Sequence, residues 1–223
     1  MGKQIIFPVE YVKSMTWEEA FAMAKFAWNN AERLHYAAIV LHEKGYTEQA
    51  YNNLFIACEE YFKAKSFDGI AYVKMKGEPV KEEALKEFCE KSGDHKWKFR
   101  EAFFDAEMNI PNITLKVEDG IDDTEIQENL HKEMQETFDF LNTLNPYDKK
   151  NNSLYIGYCK DRGAAIVPQQ EISKEIVERF FKICFYIQMT YRVDQDNPSG
   201  EFSNYLKWSG KEFKDFIVNK KDE

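Results

Sequence analysis

Between Ala20 and Leu41 the chain places small or apolar residues at spacings of three and four: Ala20, Ala24, Ala27, Ala31, Leu34, Ala38 and Leu41. A helical stripe dominated by alanine lets a partner helix approach closely, and no other feature constrains the fold as strongly. Thr16-Trp17-Glu18-Glu19 just before it fits a capping box, with the Thr16 hydroxyl on the Glu19 amide and the Glu19 carboxylate reaching back. A helix is therefore expected from there to His42. The segment EKGYTEQ supplies a stop at Gly45 and an N-cap at Thr47. Beyond it Tyr51, Leu54, Phe55, Cys58, Tyr61 and Phe62 form an apolar face that continues less regularly towards Met75. Two long helices joined by so short a turn double back as an antiparallel helical hairpin.

The rest of the chain reads as shorter helices added to this hairpin. Helices are expected over 80–91 and 95–108, the second capped by Asp94 after SGD. NIPNITLKVEDGIDD is a polar connection. Helical spacing resumes over 124–144 with Ile126, Leu130, Met134, Phe138 and Leu141, and NPYDKKNN stops it. The period then changes, because SLYIGYCKDRGAAIVP carries two β-prone runs around Asp161-Arg162-Gly163. A small β-hairpin is expected near 153–167. Ser173 caps a last strong helix, with Ile172 and Val177 as a hydrophobic staple and Phe180, Phe181, Cys184 and Ile187 facing inward. Ser209 to Glu212 offers another capping box before Phe213, Phe216 and Ile217, hence a short terminal helix. The expected fold class is all-α, a bundle built on a long antiparallel helical hairpin with a small appended β-hairpin.

With 223 residues, 43% of them hydrophobic, the chain can bury one sizeable core. A net charge of −9 argues against a broad basic surface that grips nucleic acid by phosphate neutralisation alone, so any polyanion needs a local basic pocket. Cys58, Cys89, Cys159 and Cys184 lie far apart with no CxxC pair, which reads as reduced thiols in an intracellular protein. No apolar run approaches the roughly 18 residues needed to span a bilayer, and the amino terminus lacks a secretory pattern. A cytoplasmic protein with no membrane contact is expected.

Two constellations carry candidate chemistry. In ACEEYFKAK, at about 100° per residue, Glu59 and Lys63 share a flank of the apolar face while Glu60 points away. On spacing alone Glu59 and Lys63 form an ordinary ion pair on a solvated flank, worth roughly 0.2–0.5 kcal/mol. In DHKWKFR, His95 stands at a helix start, where the dipole favours neutral imidazole and so a base at neutral pH. Lys98 follows one turn later, within reach of a phosphate; exposed residues at a helix start are the simpler reading. His35 and His42 are two turns apart, about 10.5 Å of rise, too far to share one metal ion. They read as packing or solvent-facing residues, and no metal or cofactor is expected. Asn30, beside Glu32 and Arg33, faces either the second helix or a second subunit.

In order, WEEAFAMAKFAWNNAERLHYAAIVLHEKGYTEQAYNNLFIACEEYFKA, SGDHKWKFREAF and SLYIGYCKDRGAAIVPQQEISKEIVERF resemble the AbiV family of bacterial abortive infection proteins, placed in the HEPN superfamily. The resemblance runs from about 17 to 190. Asn30-Ala31 to Leu34, Ala57 to Lys63, His95 with Lys98, Leu154-Tyr155, and Pro168 with Ile172-Ser173 carry it. Phe62 stands where many relatives have glycine.

The resemblance implies a HEPN-like domain over 17–192 between an N-terminal extension, 1–16, and a C-terminal extension, 193–223. It implies a homodimer that acts against phage by halting a host process such as translation, with a phage-encoded activator and an RNA or ribosome target as partners. Many HEPN proteins are metal-independent ribonucleases that use an arginine followed four to six residues later by a histidine. This chain departs from that pattern, since no arginine has a histidine at that spacing and Arg33 and His42 are separated by eight intervening residues. A ribonuclease reading makes His95, Lys98, Glu60 and Lys63 the catalytic set. His95 is the base, Lys98 and Arg100 stabilise the phosphate, and Glu59 or Glu60 orients Lys63 or the histidine. Arg33 and Arg100 contact RNA, and Asn30, Glu59 and Tyr155 are structural or interface positions. The other reading is a non-enzymatic module that binds a phage or ribosomal partner.

Overall fold

Thr16 accepts a hydrogen bond from the Glu19 amide while the Glu19 carboxylate accepts from the Thr16 amide, so the capping box forms and starts a long helix. The computed structural model describes residues 7–110, 114–115, 124–153, 157–159, 163–191, 196, 198 and 205–206. In chain order its helices are α1 (Val9–Ser14), α2 (Trp17–Glu43), α3 (Thr47–Met75), α4 (Glu82–Lys91), α5 (His95–Asn109), α6 (Thr124–Thr143), α7 (Pro146–Asn152), α8 (Pro168–Glu171) and α9 (Lys174–Thr190). Its strands are β1 (Thr114–Leu115), β2 (Gly157–Cys159), β3 (Ala164–Ile166) and β4 (Tyr205–Leu206).

The α2–α3 turn closes as the sequence suggests. Gly45 takes a left-handed φ of 81°, which lets its amide donate to the His42 carbonyl and the Tyr46 amide to the Leu41 carbonyl. Thr47 is the first residue of α3 rather than its cap, because Tyr46 occupies the N-cap position. The alanines of α2 do what their size allows: Ala20, Ala24, Ala31 and Ala38 are fully buried against α3.

α3 is the central helix. α2, α5 and α9 pack on it, and α7 and α8 touch it as well. Its 29 residues therefore carry buried side chains well beyond one stripe, including Glu59 and Asp68. Aromatic rings tie three helices together, with Phe55 stacked on Phe99 at 4.2 Å and Phe99 against Phe180 at 5.6 Å. Each such contact adds about 0.5–1.5 kcal/mol beyond the area it buries. Met134, Phe138 and Leu141 of α6 are fully buried, and Ser173 accepts from the Ile176 amide to start α9.

Several expectations need correction. NPYDKKNN, expected as a stop, ends α6 and then starts α7, with Pro146 at the first helical position and Asn145 at φ 48°. α1 lies in the segment expected as an extension and packs on α4 with Val12 fully buried. The fold class is corrected too: the molecule is a helical bundle, and the β-hairpin expected near 153–167 is not built as an appended unit. Helices claim both ends of that stretch, since Ser153 is the C-cap of α7 and Val167 the N-cap of α8. Between them, among the described residues, β2 and β3 make a three-residue antiparallel pairing, Gly157 opposite Ile166, in a two-stranded sheet. So small a pairing has no stability of its own apart from the helices around it. β1 pairs with β4 in parallel, Thr114 opposite Tyr205, an association across distant sequence that local pattern did not suggest. The terminal helix expected after Ser209 lies outside the described residues. Among the described residues, no helix is long and apolar enough to cross a membrane.

Candidate functional site

The α5 start fixes the site. Asp94 accepts from the Trp97 amide at 3.1 Å, so helical turns begin at His95 and place His95 and Lys98 one turn apart on one side. Trp97 and Phe99 meanwhile anchor the helix in the core, Trp97 meeting Phe62 of α3 edge-on at 5.2 Å. Phe62 thus fills the space beside Glu59, Glu60 and Lys63 with an aromatic ring.

Glu59 is the meeting point. Its carboxylate is 1% exposed and accepts from Lys98 Nζ at 3.1 Å. His95 Nδ1 lies 2.9 and 2.7 Å from the two carboxylate oxygens. A carboxylate accepts and does not donate, so Nδ1 carries a proton, and in the neutral form of the ring the lone pair is on Nε2. The His95 side chain is 52% exposed, which places that nitrogen within reach of an incoming molecule. Lys98 is enclosed at 4% side-chain exposure. Burial pushes its ammonium below the ordinary 10.5; Glu59 opposes this, Lys63 adds to it, and Glu60 opposes it. Lys63 pairs with Glu60 beside this group, at the half-buried edge.

This geometry corrects the spacing argument. Glu59 does not pair with Lys63 on a solvated flank; it turns inward to α5, and Lys63 pairs with Glu60. The reason is the position of α3 at the centre of the bundle, where a residue on the flank of one apolar face becomes the face towards another helix. Lys98, expected to hold a phosphate, is buried against Glu59 and holds that carboxylate in place.

The remaining expected residues lie elsewhere. Arg33 donates to Asn30 Oδ1 at 2.9 Å on the exposed side of α2. Arg100 pairs with Glu101 at 3.1 Å and is 69% exposed, about 140° around α5 from His95. Neither arginine has a described contact with the cluster. Tyr155 lies outside the described residues. His35 and His42 pack near Phe181, at ring distances of 5.9 and 5.5 Å. Among the described residues no group of three His, Cys, Asp or Glu side chains is arranged to hold a metal ion.

Sequence reasoning missed a second polar group on the same pair of helices. Asp105 of α5 pairs with Lys65 of α3 at 2.5 Å and accepts from the Tyr191 hydroxyl at 2.8 Å. Burial first, and Asp105 second, push the Tyr191 phenol well above its usual 10.0. Its members are 40 and 86 residues apart, so no local motif could have revealed it. A polar groove of about 360 Å³ between α6 and α9 is a different place from either cluster. Ion pairs such as Lys182 with Glu133 and Arg179 with Glu175 cross or edge it.

No curated protein and no solved structure matches the chain. A model of the AbiV family, a HEPN family, matches residues 19–187, from the first turn of α2 into α9, and takes in every member of the Glu59 cluster. That match supports a general HEPN-like role in defence against phage. The chain belongs to the AbiV family.

Proposed function

We propose that this protein is an abortive-infection toxin that cleaves RNA without a metal ion and so blocks translation in the infected cell. The observation that carries the reading is the His95–Glu59 pair, a half-exposed imidazole whose Nδ1 is held by a buried carboxylate. That arrangement orients a general base much as a carboxylate orients histidine in a catalytic triad. His95 Nε2 takes the proton of a ribose 2′-hydroxyl, and the oxygen attacks the adjacent phosphorus. The bond to the 5′-oxygen breaks, leaving a 2′,3′-cyclic phosphate, and the departing 5′-oxygen takes a proton from water to become a 5′-hydroxyl. Lys63, at the rim with Glu60, offers positive charge to the phosphate. Glu59 and Lys98 are positioning residues, and Arg100 meets the flanking backbone in competition with Glu101. The functional unit is 17–192, paired as a homodimer in the cytoplasm, with a phage-encoded protein as activator and cellular or ribosomal RNA as target.

The test is purified protein with cellular RNA in the presence of chelator. Cleavage that leaves cyclic phosphate ends, lost in His95→Ala together with growth arrest while helical content is retained, supports the reading. A fully active His95→Ala overturns the assignment of the base. The net charge of −9 favours a second reading, a module that sequesters a phage or ribosomal protein. RNA left intact under all conditions, with a tightly bound protein partner, would decide for it.

A further inference from the structure

One face of α2 turns away from the bundle and yet carries large apolar side chains. Phe26 is 68% exposed, Tyr36 69% and Val40 38%. With Ala22, Asn29 and Arg33 they follow one another at spacings of four, three, four, three and four, the seam of a coiled coil rather than scattered surface residues. The inward stripe of the same helix is occupied by α3, so this is a second seam, and it lacks a described helix against it.

We propose that this seam is a self-complementary surface on which a second copy of the chain docks through an antiparallel pair of α2 helices. The residue types select both the partner and the register. Running a copy of α2 backwards about Ala31 sets Phe26 against the partner subunit's Tyr36, Asn29 against the partner subunit's Arg33, and Ala22 against the partner subunit's Val40. Two-fold symmetry makes each of these contacts twice. Every layer is then matched: aromatic with aromatic, amide oxygen with guanidinium, small with branched. Glu32, exposed beside Arg33, lies within a turn of the symmetry axis, so the two acids balance the two arginines. Sliding the pairing by one step would instead set Phe26 against Glu43 and Asn29 against Val40, which buries a charge and an amide against apolar groups. The seam from Ala22 to Val40 is about 27 Å long. This gives Arg33 to subunit pairing rather than to RNA. The proposal supplies an interface for the homodimer named above and uses no residue of the His95 cluster.

The test is sedimentation of the full chain across the micromolar range. Wild-type protein is expected to dimerise, and Phe26→Glu with Tyr36→Glu to weaken association at least about tenfold with unchanged helical content, since both side chains are exposed in the single chain. Register is read by an Ala22→Cys, Val40→Cys double variant, which is expected to cross-link between copies when oxidised glutathione takes up the two electrons and two protons. Either single variant should cross-link far less; Cys58, Cys89 and Cys184 are buried. A wild-type chain that stays monomeric, or a dimer indifferent to the two glutamates, overturns the proposal. His95→Ala should dimerise like wild type, so loss of cleavage with an intact dimer bears on the nuclease reading alone.

Discussion

The contact between α3 and α5 holds two polar clusters made from similar parts, and they end differently. In one, Glu59 gathers the Lys98 amine and the His95 imidazole; in the other, Asp105 gathers the Lys65 amine and the Tyr191 phenol. The first buries its carboxylate and one cation almost completely and lets the third group stand half in water. The second leaves its carboxylate and amine partly accessible and buries the third group, Tyr191, at 3% exposure. An enclosed phenol with a raised pKa joins helices and has no free atom to offer a ligand. A half-exposed imidazole with one nitrogen fixed has such an atom. Chemistry at this contact is decided by which member of the cluster reaches the surface, and the presence of acid and base alone does not decide it.

The sharpest way to break the comparison is to remove the buried acid. Glu59→Ala leaves the Lys98 ammonium enclosed without its counter-charge, and chemical denaturation should show a loss of about 3–5 kcal/mol. Adding Lys98→Met should recover most of that stability, because the uncompensated charge is gone. It should not recover growth arrest, because His95 would have lost the carboxylate that orients it. A double variant that is both stable and active would show that the Glu59 contact does not serve the imidazole.

Asp105→Asn should cost less, about 1–2 kcal/mol, since the Lys65–Asp105 pair retains some access to water. It should leave growth arrest intact. The same cluster has a signature in alkali. Tyr191 is held protonated in the folded chain above the 10.0 at which an unfolded tyrosine ionises, so above that pH the folded state binds more protons than the unfolded one. Stability from this group is fully present below pH 10 and declines as pH rises beyond it. Tyr51, Tyr61 and Tyr186, each raised mainly by burial, act in the same direction. Absorbance of tyrosinate should therefore rise in two steps, exposed phenols first and buried ones together with loss of helix. A single smooth titration with helicity unchanged would contradict it.

The same contrast explains what could be read before the fold was known. The α2–α3 hairpin was legible because its signals are local: a capping box at Thr16, an alanine stripe, and a glycine at the one position that needs a left-handed backbone. His95 was legible as a helix start because Asp94 precedes it. Glu59 was misassigned because one helical wheel shows one buried face, whereas α3 is covered by α2, α5 and α9. Asp105, Lys65 and Tyr191 were invisible because nothing within a turn of any of them marks the other two. The β-prone run near 153–167 misled because alternation reports what a segment can pair as, and here helices cap both ends of the stretch while three residue pairs form among the described residues.

The smallest expected change in stability is the one with the largest expected consequence for function. His95 is half exposed, and replacing it with glutamine keeps a donor for the carboxylate while Lys98 still pairs with Glu59, so stability should fall by about 1 kcal/mol or less. Glutamine can still donate to the carboxylate but has no nitrogen lone pair to accept a proton. RNA cleavage and growth arrest should therefore disappear from a protein that melts almost as wild type does. Asp105→Asn should show the opposite pair of effects, less stable and fully active. If both variants lost stability and activity in step, the two clusters would be one structural network, and the distinction between the open and the closed end of the α3–α5 contact would fail.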